Sequence, residues 1–243
     1  MCGRYAQTLD MRELMEQFEV TGSSPRESLP ANWNIAPTNP IYIVRAHSLN
    51  HDQNALATVS WGLIGPWLSD VNEAKASQSR AINARSESIH EKPTFRAAFK
   101  SSRCLIPAEG YYEWATALGK FSPKQPFYIT ARNEKLLPIA GIWSSWRAPS
   151  GEVIESASII TQEAQGALAE IHNRMPVFMP HERWRSWLDP GNTDIKNLTS
   201  LMQVQSPASL VLARPVSSAV NSVANNSQKL TVEIELGEPE TLF

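Results

Sequence analysis

With 243 residues and 42% hydrophobic content, the chain can bury a full core, and one domain spanning 1–243 is expected. Twenty-two Lys+Arg against twenty-four Asp+Glu leave a net charge of −2, which does not advertise nucleic acid but does not exclude a local basic groove. Two cysteines argue against a disulfide framework, no apolar run reaches the length of about 18 residues that a membrane span needs, and residues 1–20 lack the basic-then-apolar order of a secretory leader.

The first element of note is the chain start, Met1-Cys2-Gly3-Arg4-Tyr5. Met1 precedes a small side chain, so its removal is expected, and a mature Cys2 would carry a free α-amine and a thiol on adjacent carbons. The amine can condense with an aldehyde and the thiol can close the ring. Reference values of about 8.5 for a thiol and about 7.7–8.0 for an α-amine leave both largely protonated at neutral pH, so activation needs a nearby base.

Residues 9–19 place Met11, Leu14, Met15 and Phe18 on one helical face, with Thr8 as the expected N-cap. Residues 21–40, rich in Ser, Pro and Asn, read as a surface loop ending in Asn34-Ile35-Ala36-Pro37-Thr38-Asn39-Pro40. Strands are predicted at 41–46, 55–61, 103–107, 126–132, 137–146 and 156–162 from their β-branched and aromatic content. The second of these runs into Trp61-Gly62-Leu63-Ile64-Gly65-Pro66-Trp67, and residues 69–80 form a polar stretch. Residues 163–171 have helical composition and deliver His172 near a helix end, with Pro176 biasing Met175 away from helix. Helices are expected at 181–188 and 195–203, and closing strands at 209–217 and 229–235. This mixture predicts an α+β protein: a bent, barrel-like antiparallel sheet flanked by short helices.

Candidate chemistry is scattered along this frame. Glu113, between Tyr112 and Trp114 after an apolar strand, sits where desolvation favours proton transfer, and His172 is a candidate acid or base. His47, His51, His90 and His181 lie in polar or helix-start surroundings and read as solvated, and no paired His/Cys spacing supports a metal site. Asn83 and Arg85 alternate on one extended segment and suit hydrogen bonding and phosphate contact. Arg4, Arg45, Arg80, Arg85, Arg103, Arg147, Arg174 and Arg214 lie in apolar or turn-like contexts from which they could converge on one face. Trp61, Trp67, Tyr111 and Trp114 fit either core packing or base stacking.

The ordered blocks Cys2-Gly3-Arg4, Asn34-x-x-Pro37, Trp61-Gly62-Leu63, Asn83-x-Arg85-x-Glu87, Glu109-Gly110-Tyr111-Tyr112-Glu113-Trp114, Ile171-His172-x-Arg174-Met175-Pro176 and Val216-Ser217 with Val220-Asn221 resemble the SRAP (SOS response-associated peptidase) family. The resemblance runs from residue 2 to about 221 and leaves the tail at 225–243 open, with a closing strand expected in it. It implies that Cys2 forms a thiazolidine crosslink with the ring-opened aldehyde of an abasic site in single-stranded DNA, with strand incision and crosslink reversal as associated activities. It further implies that Asn83, Glu113 and His172 are the catalytic partners of Cys2. The DNA-contacting set it suggests is Arg4, Asn34, Pro37, Trp61, Trp67, Arg85, Tyr111, Trp114 and Arg174. Neither a cofactor nor a metal is implied. The expected setting is a cytoplasmic monomer, associated with the nucleoid when bound to DNA and independent of membranes.

Two other classes of function stand beside this one. A cysteine peptidase or self-processing N-terminal-nucleophile hydrolase would use Cys2, Glu113 and His172 and need no free amine. A modified-base binding module would need the aromatics and arginines but not Cys2.

Overall fold

A computed structural model describes residues 2–116, 121–122, 124–133, 136–204 and 206–236. In chain order the elements are β1 (Arg4–Gln7), α1 (Met11–Gln17), β2 (Asn32–Ile35), β3 (Pro40–Ala46), β4 (Asn54–Trp61), α2 (Val71–Arg80), β5 (Asn83–Arg85), α3 (Pro93–Ser101), β6 (Arg103–Ala108), β7 (Gly110–Trp114), β8 (Pro126–Ala131), β9 (Leu137–Arg147), β10 (Val153–Glu163), β11 (Arg174–Pro176), α4 (Trp184–Leu188), α5 (Ile195–Met202) and β12 (Val211–Pro215). Short 3-10 turns at Gly166–Glu170, His181–Arg183, Pro207–Leu210, Ser218–Asn221 and Gln228–Thr231 connect them.

The strands form two sheets. One is antiparallel, in the order β12-β8-β7-β1-β2. In the other, β10, β4, β3, β6 and β9 follow one another and β9 pairs back onto β10, so these five strands close on themselves and leave no free edge. The expected α+β, barrel-like core is therefore present, with two parallel pairings added: β10 with β4, and β10 with β5.

Side-chain alternation divides the strands between two clusters. Ile41, Ile43, Cys104, Ile106, Ile139 and Ile159 pack with Tyr5, Tyr111 and Ile129 of the five-stranded sheet. Their neighbours Tyr42, Val44, Leu105, Ala140 and Ile160 pack with Leu14, Phe18, Phe99, Trp187 and Leu198 from the helices. All six residues of β6 are buried, which is why Arg-Cys-Leu-Ile-Pro reads as a continuous run rather than an alternating one. Gly62 has φ +115, and a Cβ there would lie 2.2 Å from the Gln78 carbonyl oxygen, so only glycine makes the turn that leads β4 away.

Several expectations are corrected. The N-cap of α1 is Asp10, not Thr8: Asp10 accepts from Glu13 N and Glu13 reaches back to Asp10 N, a reciprocal capping box. The 21–40 segment contains β2, because Tyr5 and Gln7 of β1 pair with Ile35 and Asn32. The polar stretch is the helix α2, capped by Asp70, which buries only Ala74 and so carries no apolar stripe. The helix expected at 163–171 is reduced to the turn Gly166–Glu170, since β10 continues to Glu163 by pairing with β11. The strand expected at 229–235 is a 3-10 turn followed by a single bridge between Val216 and Glu233. The rest of the tail, 237–243, lies outside the described residues.

Candidate active site

Cys2 precedes β1, and the pairing of Arg4 with Tyr112 brings Glu113, one step further along β7, alongside the first residues of the chain. Asn83 arrives from the other sheet, where β5 lies parallel to β10 with Asn83 opposite Ile159. Its Nδ2 donates to the Cys2 carbonyl oxygen at 2.9 Å. His172 follows the turn Gly166–Glu170, and the Thr116 N–H donates to the Ile171 carbonyl at 3.0 Å, tying the loop after β7 to the residue before the histidine. Three segments far apart in sequence thereby converge on the chain start.

The geometry at their meeting point is tight. His172 Nδ1 lies 2.9 Å from Glu113 Oε1, and the same nitrogen lies 3.0 Å from the backbone N of Arg174. One nitrogen cannot serve both in the same state: protonated, it donates to the carboxylate; unprotonated, it accepts from Arg174 N–H. Glu113 is 3% exposed and Cys2 is 1% exposed. Burial pushes the Cys2 thiol far above its ordinary value, the Glu113 charge pushes it further, and a hydrogen bond from the Arg4 backbone opposes them. The phenols of Tyr5 and Tyr111 are likewise raised, first by burial and then by the Cys2 charge, with Glu113 adding to the effect at Tyr111. Tyr5 packs edge-on against Trp61 at 5.4 Å between centroids, and Trp61 Nε1 donates to the Ile82 carbonyl beside Asn83.

The structure thus brings Cys2, Asn83, Glu113 and His172 together. The residues suggested for DNA contact are placed less uniformly. Arg4 donates to Asn34 Oδ1 at 2.7 Å and to the Val220 carbonyl at 2.8 Å, while Asn34 Nδ2 reaches the carbonyls of Val220, Ser222 and Asn225. Those two residues brace the C-terminal segment against β1 and β2. Asn34, Trp61 and Tyr111 are buried, and Trp114 Nε1 donates to Asn221 Oδ1 at 2.7 Å. Pro37 lies half-buried in the turn before β3. Trp67, at 54% exposure, and Arg85 face solvent, and among the described residues the Arg85 side chain has no hydrogen-bond or ion-pair partner. Arg174 is bonded through both Nη atoms to Glu87, at 2.7 and 2.9 Å.

The arginines do not all share a face. Arg103 is buried, donating to the carbonyls of Phe99, Trp187, Asp189 and Asn192, and burial lowers its pKa to about 10. Arg45 is bidentate to Glu155 and lies 4.0 Å over the Trp143 ring. An open, mainly apolar cavity of about 700 Å³ bordered by Phe18, Leu136, Phe178 and Trp184 includes none of the four convergent residues. Among the described residues no three His, Cys, Asp or Glu side chains are grouped to hold a metal, and no helix is long and apolar enough to cross a membrane.

What sequence reading missed here is the link between Glu113 and His172 and the tie between Glu87 and Arg174. The spacing of Glu87 two residues after Arg85 was a visible signal, but its partner lies 87 positions away.

The model of one family, SOS response associated peptidase (SRAP), matches residues 1–223. The abasic site processing protein YoqW of Bacillus subtilis is 36% identical over 232 residues, covering 95% of this chain and 98% of its own length. The abasic site processing protein HMCES of Xenopus tropicalis is 29% identical, covering 97% of this chain and 79% of its own. A crystal structure of a Bacteroides thetaiotaomicron protein superposes with a TM-score of 0.83 at 22% identity, covering 96% of this chain and all of that one, which speaks for the fold.

Proposed function

Because this chain belongs to the SRAP family, we propose that it processes abasic sites in single-stranded DNA, capturing the sugar aldehyde as a thiazolidine on Cys2 after Met1 has been removed. The observation that carries the reading is the convergence of Asn83 on the Cys2 backbone with the Glu113–His172 pair beside it. The abasic-site processing named in its relatives YoqW and HMCES supports the same substrate.

The chemistry follows from the groups present. A proton delivered to the sugar ring oxygen helps open the hemiacetal, and His172 is the group assigned to it. The Cys2 amine adds to C1′ and the carbinolamine loses water to give an imine. The thiol then adds across the carbon–nitrogen double bond, its sulfur bonding carbon and its proton passing to nitrogen. The net change is aldehyde plus aminothiol to thiazolidine plus water. Glu113, whose charge acts on Cys2 and which meets His172 at 2.9 Å, accepts the proton that the Cys2 α-ammonium loses before it adds. Asn83 Nδ2 grips the Cys2 carbonyl, and its Oδ1, buried without a partner among the described residues, is left to accept from the α-amine or the adduct. Arg85 and Trp67, both exposed, are assigned to the strand-contacting surface together with Arg174.

The peptidase reading fits less well. A nucleophilic cysteine needs its thiolate, whereas both burial and the Glu113 charge here hold Cys2 protonated. Intact-protein mass spectrometry with abasic single-stranded DNA tests the proposal. The expected species is the chain lacking Met1, plus the DNA, minus one water. The same adduct in equal yield from Cys2→Ala, or from protein retaining Met1, would end it.

A further inference from the structure

Glu87 plays no part in the chemistry above, yet it occupies the fork of Arg174. Both of its oxygens are bonded, Oε1 to Nη1 at 2.7 Å and Oε2 to Nη2 at 2.9 Å, while Nη2 also donates to the Thr161 carbonyl at 2.7 Å. The Arg174 side chain is 12% exposed and that of Glu87 is 52% exposed. Hydrogen bonding from Arg174 is the main reason the Glu87 carboxyl is held below its ordinary value. An exposed ion pair between flexible side chains contributes little to stability. This one differs in geometry, being bidentate and backed by a buried carbonyl.

The place of the pair in the fold gives it a task. β10 is flanked at Thr161 by Arg85 of β5 on one edge and by Pro176 of β11 on the other. The Thr161 carbonyl accepts from Ser86 N at 2.8 Å as well as from Arg174 Nη2. The Arg174 side chain therefore joins the strand that begins at Arg174, two residues after His172, to the segment that follows Asn83 and Arg85, and Glu87 closes the join. The backbone N–H of the same Arg174 lies 3.0 Å from His172 Nδ1. A shift of Arg174 is thus a shift of the group that addresses the imidazole.

We infer that Glu87 is a positioning residue: by clamping Arg174 across β10 it fixes the spacing between the Asn83–Arg85 strand and the His172 ring, and it limits how much of the Arg174 charge is offered to a DNA phosphate. This rests on the capture reading only for its effect on crosslinking, since the clamp itself is a property of the free protein. The clamp also sets two quantities against each other. Removing the Glu87 charge should leave strand binding as strong or stronger, because a negative charge leaves the groove, while slowing the chemical step.

The test is Glu87→Gln, an isosteric change at a half-exposed site, compared with parent and with Arg174→Ala. Single-turnover crosslinking at saturating protein should fall on the order of tenfold in Glu87→Gln, toward the roughly 100-fold that a misplacement of about 1 Å can cost. Affinity for an unmodified strand should not fall, and its log–log salt slope should steepen by up to roughly 0.7. Arg174→Ala should lower rate and slope together. The imidazole nitrogen and proton resonances of His172, recorded without DNA, should move in Glu87→Gln. Parent-like crosslinking with unmoved His172 resonances overturns the clamp, as does a loss of strand affinity in Glu87→Gln equal to that in Arg174→Ala. If the parent forms no adduct, the capture reading fails and the His172 resonances and salt slope still decide the clamp.

Discussion

The two cysteines make an instructive pair. Cys2 and Cys104 are both free and buried, and burial is the leading reason both thiols are pushed far above their ordinary range. Their surroundings differ. Cys104 lies in β6 between Leu105 and Arg103, its sulfur 2.9 Å from where a Cβ on Gly141 would be, and the nearby charge that acts on it is Arg45, itself paired with Glu155. Cys2 has Asn83 on its carbonyl, with the Glu113 carboxylate and a histidine close by. Burial alone therefore makes an inert thiol. A candidate site needs polar groups drawn to the buried atom from separate parts of the chain.

The strongest challenge to that distinction exchanges the residues. Cys2→Ala should abolish the heat-stable adduct with abasic single-stranded DNA, whereas Cys104→Ala should retain it, as read on denaturing gels after equal incubation. Next in size is the coupling of the two groups beside Cys2. Glu113→Gln and His172→Ala should each slow single-turnover crosslinking by about 10²–10⁴. Because they share a 2.9 Å contact, the double variant should be scarcely slower than the slower single one. Full additivity would mean that they act independently.

On the Cys104 side the expected effects are on stability. Gly141→Ala places a Cβ 2.9 Å from the Cys104 sulfur and 2.9 Å from Ile106 Cδ1, so urea unfolding should show a loss of about 1–3 kcal/mol. Its crosslinking rate should be unchanged in the folded fraction. In one respect the cysteines should behave alike. Each thiol is raised in the folded state, so its contribution is fully present below the unfolded value of 9.0 and is lost as pH rises above it, when only the unfolded chain ionises. Each should steepen the alkaline fall in stability by at most about 1.4 kcal/mol per pH unit. Cys104→Ala should remove its share in urea titrations on either side of pH 9.0. The smallest expected effect lies at the edge of the candidate site: Arg85→Ala should flatten the log–log salt dependence of single-strand binding by roughly 0.7, whatever the base sequence. An unchanged slope would remove Arg85 from the strand-contacting surface.

These contrasts also mark what could be read without coordinates. Ile41–Ala46 and Cys104–Pro107 declare themselves as strands because β-branched and apolar residues cover both faces of buried segments. Helix α2 does not, because its stability comes from the Asp70 cap and one buried alanine rather than a stripe. Residues 163–171 have helical composition, but Gln162 and Glu163 gain strand partners in Met175 and Arg174, and pairing prevails over propensity at the start of that segment. Within the candidate site, Cys2, Asn83, Glu113 and His172 stand in short blocks that are weak signals one by one and become specific as an ordered set. The partners of Arg4 and Asn34 could not be recognised in this way, because they are mostly main-chain carbonyls of residues 220–225, and carbonyls leave no trace in side-chain identity.

That brace has a consequence for assembly. The Arg4 guanidinium closes on the Val220 carbonyl across 216 positions, so this brace, unlike the pairing of β1 with β2 and β7, needs nearly the whole chain. Contacts of such high sequence separation form late, after the entropy of a long loop has been overcome. The first strand to leave the ribosome thus carries one of the last contacts to form. For this one contact the order of synthesis and the order of locking run in opposite directions.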